Sequence, residues 1–365
     1  MIEMKRVFAG VAAALLAVTL FFPCGAVSAK NAILYDAQTG RVLYEKQANT
    51  QGLIASTTKI MTALIVCEQT NVLDRVRIPQ EAVGIEGSSM YLRADEVLTV
   101  QDLLYGLMLH SGNDAAVALA IYCGGTVEGF VELMNDKAHR LGMKNTQFAN
   151  PNGLDSPGHY STARDMAVLA AYAMENPIFA KTVSSKTVNI GNRVLRNHNK
   201  LLWRLEGADG VKTGFTKAAG RILVSSCTRN GRRLIAVTMN DGNDWQDHQQ
   251  LMEKGFGNFN VQQLVRRGDT LGQIRVISGE ADCIELLADS NFSFAIAPDE
   301  NPTIVFSEPG FVYAPVIEGQ GAGFAYVCLE GKTVGKIPLV YGQSTEMETV
   351  KERSWWEKIF KRGST

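Results

Sequence analysis

The chain has 365 residues, long enough for two domains, and its 46% hydrophobic and 20% charged residues are typical of a globular protein with a sizeable core. A formal net charge of −1 excludes the strongly basic character of a nucleic-acid-binding protein. Its cysteines form no Cys-x-x-Cys pair and its histidines lack ligand spacing, so no disulfide framework, metal site or cofactor is expected.

The N-terminal residues have the pattern of a signal peptide. Lys5 and Arg6 precede an apolar run at residues 7–22, and small residues follow at Val27 and Ala29. The pattern predicts a signal peptide at residues 1–29, cleaved after Ala29, and export to the outer face of the cytoplasmic membrane or the cell wall space. An uncleaved membrane anchor is the alternative, because the run approaches the length of a spanning helix.

Residues 30–258 combine strand and helix patterns in an order that predicts an α+β domain. The helix opened by Ser56 has apolar residues at positions 60, 63, 64 and 67. The expected strands are residues 32–36, 41–46, 211–216, 221–228 and 233–240, and the other expected helices are residues 100–120, 131–141 and 162–174. A turn-rich loop spans residues 150–162, and Asn230-Gly231 predicts a hairpin. Both ends of the domain are expected to meet in one antiparallel sheet flanked by helices.

Residues 262–345 change character and predict a small β-sandwich domain. Short strand patterns separated by Gly, Pro and Asp occur at residues 274–277, 284–288, 292–297, 303–306 and 325–329.

The tail at residues 350–365 has the pattern of an amphipathic helix. Trp355, Trp356, Ile359 and Phe360 fall on one helical face, with basic residues elsewhere. Aromatic and basic residues in this arrangement favour an anchor lying in the membrane surface. A helix packed on its own protein, or a disordered end, is the alternative.

Three short motifs follow one another along the chain: Ser56-Thr57-Thr58-Lys59, Ser111-Gly112-Asn113 and Lys212-Thr213-Gly214. Each is common by chance, but the ordered set matches the S-x-x-K, S-D-N and K-T-G signature of penicillin-binding proteins and class A β-lactamases. The set supplies the parts of an acyl-transfer site: a nucleophile, a base, a proton relay and a cationic strand.

The residue types fit these roles chemically. A serine hydroxyl needs a base within hydrogen-bond reach, and Lys59 stands one helical turn after Ser56. Lys59 must be neutral to accept a proton, which burial and the nearby cation Lys212 would promote. Lys212 and Thr213 can meet a carboxylate, and Gly214 leaves space for a substrate backbone against the strand. Ser111 offers a hydroxyl for proton relay and Asn113 an amide for substrate binding.

Residues 55–64, which contain the first motif, resemble the active-site helix of the low-molecular-mass D-alanyl-D-alanine carboxypeptidases of peptidase family S11. Residues 150–154, 160–166 and 199–202 look like further blocks of that family, and the resemblance covers roughly residues 30–257. It implies a serine β-lactamase/DD-peptidase-like fold and removal of the terminal D-alanine from peptidoglycan pentapeptide stems, with penicillins as acylating inhibitors.

The resemblance also implies residue roles. Ser56 would attack the D-Ala-D-Ala carbonyl, Lys59 would take its proton and Ser111 would pass a proton to the departing D-alanine. Lys212 and Thr213 would hold the terminal carboxylate and Asn113 the substrate amide. Backbone N–H groups of Ser56 and Phe215 would form the oxyanion hole.

Two departures and three rivals bear on this interpretation. Ile54 stands where relatives usually have Pro, and His198 stands where some have Arg. A β-lactamase would need a carboxylate for the deacylating water, yet Asp155 is the only acid in the loop at residues 150–162. A catalytically idle wall-binding protein would tolerate loss of the motif residues. An endopeptidase or transpeptidase acting on cross-links would differ only in the shape of its pocket.

Overall fold

A five-stranded antiparallel sheet is the centre of the N-terminal unit, residues 27–258. The computed structural model describes residues 27–307 and 310–349, so the tail at residues 350–365 and most of the expected signal peptide lie outside the described residues. The strands of this unit are β1 (Asn31–Asp36), β2 (Val42–Lys46), β3 (Arg75–Arg77), β4 (Val97–Thr99), β5 (Thr187–Ile190), β6 (Arg193–Arg196), β7 (Ala208–Thr216), β8 (Gly220–Arg229) and β9 (Arg232–Met239). The central sheet has the order β2-β1-β9-β8-β7, so β7 is an edge strand.

Helices cover both faces of this sheet. They are α1 (Lys59–Gln69), α2 (Val100–Leu109), α3 (Asn113–Gly124), α4 (Val127–Arg140), α5 (Ala163–Ala173), α6 (Pro177–Ser184), α7 (Leu201–Arg204) and α8 (Asp244–Asn258), with 3₁₀ turns at Ala55–Thr58 and Gln80–Ala82. Alternate residues of one strand face opposite sides. Ile33 of β1 therefore joins the core formed with α1–α6, whereas Leu34 joins the core formed with α8. The predicted closure of one sheet by both ends of the domain is confirmed.

In the C-terminal unit, the described residues 260–307 and 310–349 form strands joined by turns and loops. The strands are β10 (Asn260–Val265), β11 (Thr270–Ile277), β12 (Cys283–Ala288), β13 (Phe292–Ile296), β14 (Thr303–Ser307), β15 (Phe311–Tyr313), β16 (Gly321–Leu329) and β17 (Lys332–Tyr341). Six form a sheet of order β14-β16-β17-β12-β11-β15, and β10 pairs with β13. Their alternate apolar residues enclose a separate core.

Several local predictions differ from the structure. The helix predicted over residues 100–120 is broken between Leu109 and Asn113, because Ser111 adopts φ +63° and stops the α2 backbone. Strands β10, β15 and β17 were missed, since Gln262 and Gln263 in β10 and Gly335 and Pro338 in β17 obscure any apolar alternation. Among the cysteines of the described residues, Cys67 and Cys227 are buried and Cys123 is only partly buried.

Within the described ranges, no single helix is both long and apolar enough to cross a bilayer. Only α3 and α4 taken together pass such a test, and they are bent by 84° relative to each other.

Candidate active site

The nucleophile lies on a tight turn rather than in an α-helix. The sequence predicts that Ser56 opens a helix, but Ala55–Thr58 is a 3₁₀ turn and α1 begins at Lys59. In 3₁₀ geometry, side chains three residues apart stand one above the other. The Lys59 Nζ is consequently 3.0 Å from the Ser56 Oγ. The two side chains that the sequence analysis pairs as nucleophile and base are therefore in hydrogen-bond contact, on a tighter helix than expected.

Lys59 makes two further hydrogen bonds besides its contact with Ser56. Its Nζ donates to Asn113 Oδ1 at 2.7 Å and to the backbone carbonyl of Asn152 at 2.5 Å. Both partners only accept hydrogen bonds. A neutral amine has two N–H bonds, so these two acceptors occupy both and leave its lone pair for the Ser56 hydroxyl. The same geometry can therefore carry a proton from Ser56 to Lys59.

The surroundings of Lys59 favour this neutral form. The side chain is 0% exposed. Burial, followed by repulsion from the Lys212 ammonium, holds the pKa of Lys59 well below its usual value, while Asp114 opposes the shift. Burial also lowers the pKa of Lys212 to about 7. Because both lysines are buried and close together, protonating the two at once costs free energy.

The substitution Lys212→Met is expected to move the pH dependence of acylation. It removes the charge that lowers the pKa of Lys59, so that pKa rises and more alkaline solution is needed to deprotonate the amine. The acidic limb of the rate of penicillin acylation should shift to higher pH in stopped-flow measurements. Ser111→Ala, which retains the Lys212 cation, is the control. If the acidic limb of the pH–rate profile stayed in place or moved to lower pH, the result would contradict the electrostatic coupling between Lys59 and Lys212.

The break between α2 and α3 places Ser111 in contact with the third motif. Lys212 Nζ donates to Ser111 Oγ at 3.0 Å and to the Thr213 carbonyl at 2.8 Å. Lys212 is buried, so its ammonium acts on the open cleft mainly through its electric field and through the Ser111 hydroxyl. Asn113 follows directly and begins α3, where its side chain bonds Lys59 and the Glu86 carbonyl.

A cleft of about 460 Å³ opens above these groups. Five residues singled out from the sequence line it: Ser56, Ser111, Thr213, Gly214 and Phe215. Lys59, Asn113 and Lys212 are buried. The sequence analysis assigned no role in the cleft to six further lining residues: Ser88, Lys200, Arg221, Ile222, Asp244 and Trp245.

Gly214 allows the edge strand to approach the nucleophile turn. A Cβ atom at this position would be 3.2 Å from the Ile54 carbonyl oxygen and 3.3 Å from the Ser56 nitrogen. The absence of a side chain therefore keeps β7 close to Ser56 and leaves its edge open. Phe215, in contrast, is 64% exposed at the rim of the cleft.

His159 was missed by the sequence analysis and holds the loop at residues 150–162 against the nucleophile turn. Its Nδ1 accepts from the Ala149 N–H at 3.0 Å, so its Nε2 carries the proton and donates to Thr58 Oγ1 at 2.8 Å. Burial lowers the pKa of His159 to about 4, so this neutral tautomer persists at physiological pH. Thr58 in turn donates to the Ala55 carbonyl.

Asp114 likewise fixes a segment of backbone, on the other side of the cleft. Its buried carboxylate accepts from the Ser89 hydroxyl and from the backbone N–H groups of Met90 and Leu92. These bonds hold the segment after Ser88 on α3. Long-range contacts of this kind have no local sequence pattern, so the sequence analysis could not identify them.

Gly153 offers a direct test of the contact between loop and nucleophile turn. It has φ +86°, and an added Cβ would lie 1.9 Å from the Ala55 carbonyl oxygen. Gly153→Ala should therefore displace Asn152 from Lys59, slow acylation at least about 10-fold and destabilise the fold by about 2 kcal/mol or more.

Gly158→Ala is the matched control in the same loop, since Gly158 has φ +77° but nothing within 4 Å of an added Cβ. It should cost only the backbone strain, about 1 kcal/mol, and leave acylation unchanged. Equal effects of the two substitutions on acylation and on denaturant midpoint would refute the steric argument.

Comparison with known proteins places this site in a family. A sequence profile of D-alanyl-D-alanine carboxypeptidases matches residues 19–243, and a profile described as the C-terminal domain of penicillin-binding protein 5 matches residues 259–347. Among individual relatives, D-alanyl-D-alanine carboxypeptidase DacF of Bacillus subtilis is 33% identical over 327 residues, covering 85% of this chain and 84% of the relative. D-alanyl-D-alanine carboxypeptidase DacC of Escherichia coli is 32% identical, covering 92% and 87% respectively.

Solved structures agree with this assignment. Penicillin-binding protein 5 from Haemophilus influenzae superposes with a TM-score of 0.77 at 31% identity, covering 88% of this chain and 98% of that chain. The DD-transpeptidase of Streptomyces K15 superposes with a TM-score of 0.61 at 34% identity, covering 63% and 98% respectively. With its α+β unit, its all-β unit and the paired Ser56 and Lys59, the chain belongs to the D-alanyl-D-alanine carboxypeptidase family of serine peptidases.

Proposed function

We propose that this protein is a serine D-Ala-D-Ala carboxypeptidase that removes the terminal D-alanine from peptidoglycan pentapeptide stems. One observation carries the proposal: the Lys59 amine is 3.0 Å from the Ser56 hydroxyl, while its other contacts are two acceptors. This arrangement places an amine base in contact with the serine hydroxyl. The related carboxypeptidases supply the substrate class.

The stem binds along the edge of the sheet. Among the described residues strand β7 pairs with β8 alone, so its other edge can hydrogen-bond an extended peptide. The terminal carboxylate lies at Thr213, in the field of Lys212, and the scissile carbonyl oxygen lies between the backbone N–H groups of Ser56 and Phe215. Such an oxyanion hole contributes about 3 kcal/mol to acyl transfer.

Acylation transfers one proton and exchanges one bond. Lys59 accepts the Ser56 proton as Oγ bonds to the carbonyl carbon, and the bond from that carbon to the D-alanine nitrogen breaks. Ser111 delivers its hydroxyl proton to the departing amine and takes a proton in return from the Lys212 ammonium that donates to it. The proton held by Lys59 then replaces the one that Lys212 has given up, so the net result is one proton moved from Ser56 to the amine and Lys59 is neutral again before deacylation. Asn113 holds Lys59 through its side-chain carbonyl oxygen, while its side-chain amide N–H donates to the Glu86 carbonyl.

Deacylation reverses this chemistry with water in place of the amine. The loop at residues 150–162 holds one carboxylate, Asp155, whose hydrogen bond is to the Thr216 hydroxyl at 3.1 Å, whereas the Lys59 amine is 3.0 Å from Ser56 Oγ. Lys59 therefore serves as base for the water as well. A penicillin acyl group, whose leaving nitrogen stays tethered, should hydrolyse slowly and remain as a long-lived adduct.

The assignment is tested by offering the protein two substrates. A peptide ending in D-Ala-D-Ala should release free D-alanine, and a fluorescent penicillin should leave a stable covalent adduct. Rapid penicillin turnover without D-alanine release would indicate a β-lactamase. Neither reaction, with retained binding to cell walls, would indicate a non-catalytic protein on the same fold.

The proposal includes export and attachment to the outer face of the membrane. The residues that support it, 1–29 and 350–365, have the sequence patterns of a signal peptide and an amphipathic anchor. Deleting residues 350–365 should release the enzyme from vesicles containing anionic lipid without changing D-alanine release in solution. Replacing Trp355 and Trp356 with Ser is a subtler version of the test. Undiminished sedimentation with vesicles would rule out this anchor.

A further inference from the structure

Residues 27–29, which precede the first strand, are packed into the folded N-terminal unit. Val27 is 3% exposed and Ala29 is 0% exposed. Both belong to the hydrophobic core on the α8 side of the central sheet, together with Leu34 of β1 and Leu251 of α8. Burial of apolar side chains stabilises the folded state, so these two residues contribute to the fold.

Hydrogen bonds hold the same segment at both ends. Lys46 Nζ, at the end of β2, donates to the Val27 carbonyl at 2.8 Å. The Lys30 N–H donates to the carbonyl of Asn240, the residue that follows β9, at 3.3 Å. The backbone before β1 is therefore fixed against both neighbours of β1 in the sheet.

The carboxylate of Asp247 in α8 takes its donors from this segment. Its Oδ2 accepts from the Ser28 N–H at 2.5 Å, from the Ser28 hydroxyl at 2.9 Å and from the Ala29 N–H at 3.4 Å. Among the described residues, no other group donates a hydrogen bond to this carboxylate. Asp247 is buried. A buried charge without donors is costly, so losing residues 27–29 would destabilise the fold.

A second buried carboxyl group, that of Asp241, shares the Ser28 hydroxyl. Its Oδ1 lies 2.9 Å from Ser28 Oγ and accepts from the Asn243 N–H at 2.9 Å. Burial raises the pKa of Asp241, and the donors on Asn243 and Ser28 oppose this shift. Loss of Ser28 would leave two neighbouring buried carboxyl groups with fewer donors, which costs further free energy.

The sequence contains two places with the residue spacing that a signal peptidase reads. Val27 and Ala29 have this spacing, and Cys24 and Ala26 have it three residues earlier. The small size of Val27 and Ala29 has a separate explanation, because both side chains lie inside a core. The earlier pair also lies closer to the apolar run at residues 7–22.

We infer that the signal peptidase hydrolyses the bond between Ala26 and Val27, so that the mature enzyme begins at Val27. This inference rests on the export included in the proposed function. Water adds across the peptide bond, leaving Ala26 as a new carboxyl end and Val27 as a new amino end. Residues 27–29 stay with the enzyme and supply the donors of Asp247. Cleavage after Ala29, the site expected from the sequence alone, would discard them.

Mass spectrometry of the exported enzyme tests this inference directly. The first residue should be Val27. Lys30 as the first residue would overturn the inference and leave the proposed export intact. An uncleaved N-terminus would refute the cleavable signal peptide itself. D-alanine release by the same sample reports separately on the catalytic proposal.

Two substitutions distinguish the two cleavage sites, because the peptidase requires a small residue immediately before the bond that it hydrolyses. Ala26→Leu should prevent formation of the chain that begins at Val27. Ala29→Leu is the matched control and should still give a chain that begins at Val27. Processing is read on newly exported chains, so the result does not depend on whether leucine fits the core. Loss of processing in Ala29→Leu would contradict the inference.

The structural role of the segment is tested with chains produced to begin at Val27 or at Lys30. The shorter chain should have a Tm lower by about 2 °C or more, since it lacks two buried side chains and the donors of Asp247. Equal Tm values would remove the structural basis of the inference and overturn it.

Asp247→Asn in both chains identifies the contact responsible. In the chain that begins at Lys30, the substitution removes a buried charge that has lost its donors, so it should restore part of the lost Tm. In the chain that begins at Val27, where those donors are present, it should give no such gain. Equal Tm changes in the two chains would show that residues 27–29 do not act through Asp247.

Discussion

Ser56→Ala should abolish D-alanine release and penicillin labelling together. Removing the nucleophile of an acyl-transfer enzyme lowers its rate by about four orders of magnitude or more. Both reactions require a bond to the same Oγ, so neither should survive. Release of D-alanine is measured with a coupled oxidase assay and labelling with a fluorescent penicillin.

Ser88→Ala is the matched control, because Ser88 lines the same cleft but has no lysine beside its hydroxyl in the described structure. It should retain both activities within about 10-fold. D-alanine release by Ser56→Ala at the wild-type rate would show that another group attacks the substrate.

Lys59→Arg is expected to be nearly as damaging although it conserves positive charge. A guanidinium cannot be deprotonated in proteins, so it can donate to Ser56 but cannot accept its proton. General-base catalysis contributes about 10² to 10⁴ in rate, and the second-order rate constant for penicillin acylation should fall by about 10³. Stopped-flow fluorescence measures that constant.

Lys59→Met separates the roles of proton transfer and charge. It has neither base nor cation but fills a similar volume in the buried site. If proton transfer to Lys59 is essential, the Arg and Met variants should be about equally slow. An Arg variant that acylates at close to the wild-type rate would mean that the charge of Lys59 matters rather than its lone pair. Circular dichroism and thermal unfolding of both variants control for folding.

The sequence predicted the parts of this site because each motif is short and local. Ser56 and Lys59 are three residues apart, so a helical turn of either type places them on one face, and the 3₁₀ turn that forms brings the two polar atoms to 3.0 Å. The central sheet was likewise predictable, since its strands alternate clearly and Asn230-Gly231 forms the expected hairpin with both residues at positive φ.

The long-range contacts that tune the site could not be predicted. The Asn152 backbone carbonyl that holds Lys59 comes from 93 positions away, and a carbonyl group is present at every residue. His159 and Asp114 act through similar distant bonds. Their effect on Lys59 or on the cleft wall depends on the folded chain rather than on any local pattern.

The break between α2 and α3 at Ser111 is a second feature that could not be predicted from the sequence. The apolar residues before and after it keep helical spacing, so periodicity predicts one continuous helix. The positive φ of Ser111 interrupts it and directs the hydroxyl to Lys212. Non-glycine residues in this conformation cost about 1–3 kcal/mol and concentrate at functional sites. The spacing of apolar residues indicates which face of a helix is buried. It does not reveal the strained backbone conformation of a single residue such as Ser111.

The protonation state of Lys59 is the central claim, and NMR can measure it directly. Lysine labelled with ¹³C at Cε, with the Lys59 signal assigned by its loss in Lys59→Arg, reports the titration of each amine. We predict that the Lys59 amine titrates well below the ordinary lysine value of 10.5, because it is buried beside Lys212. An amine that titrates near 10.5 would remain charged at physiological pH and would contradict the proposed base.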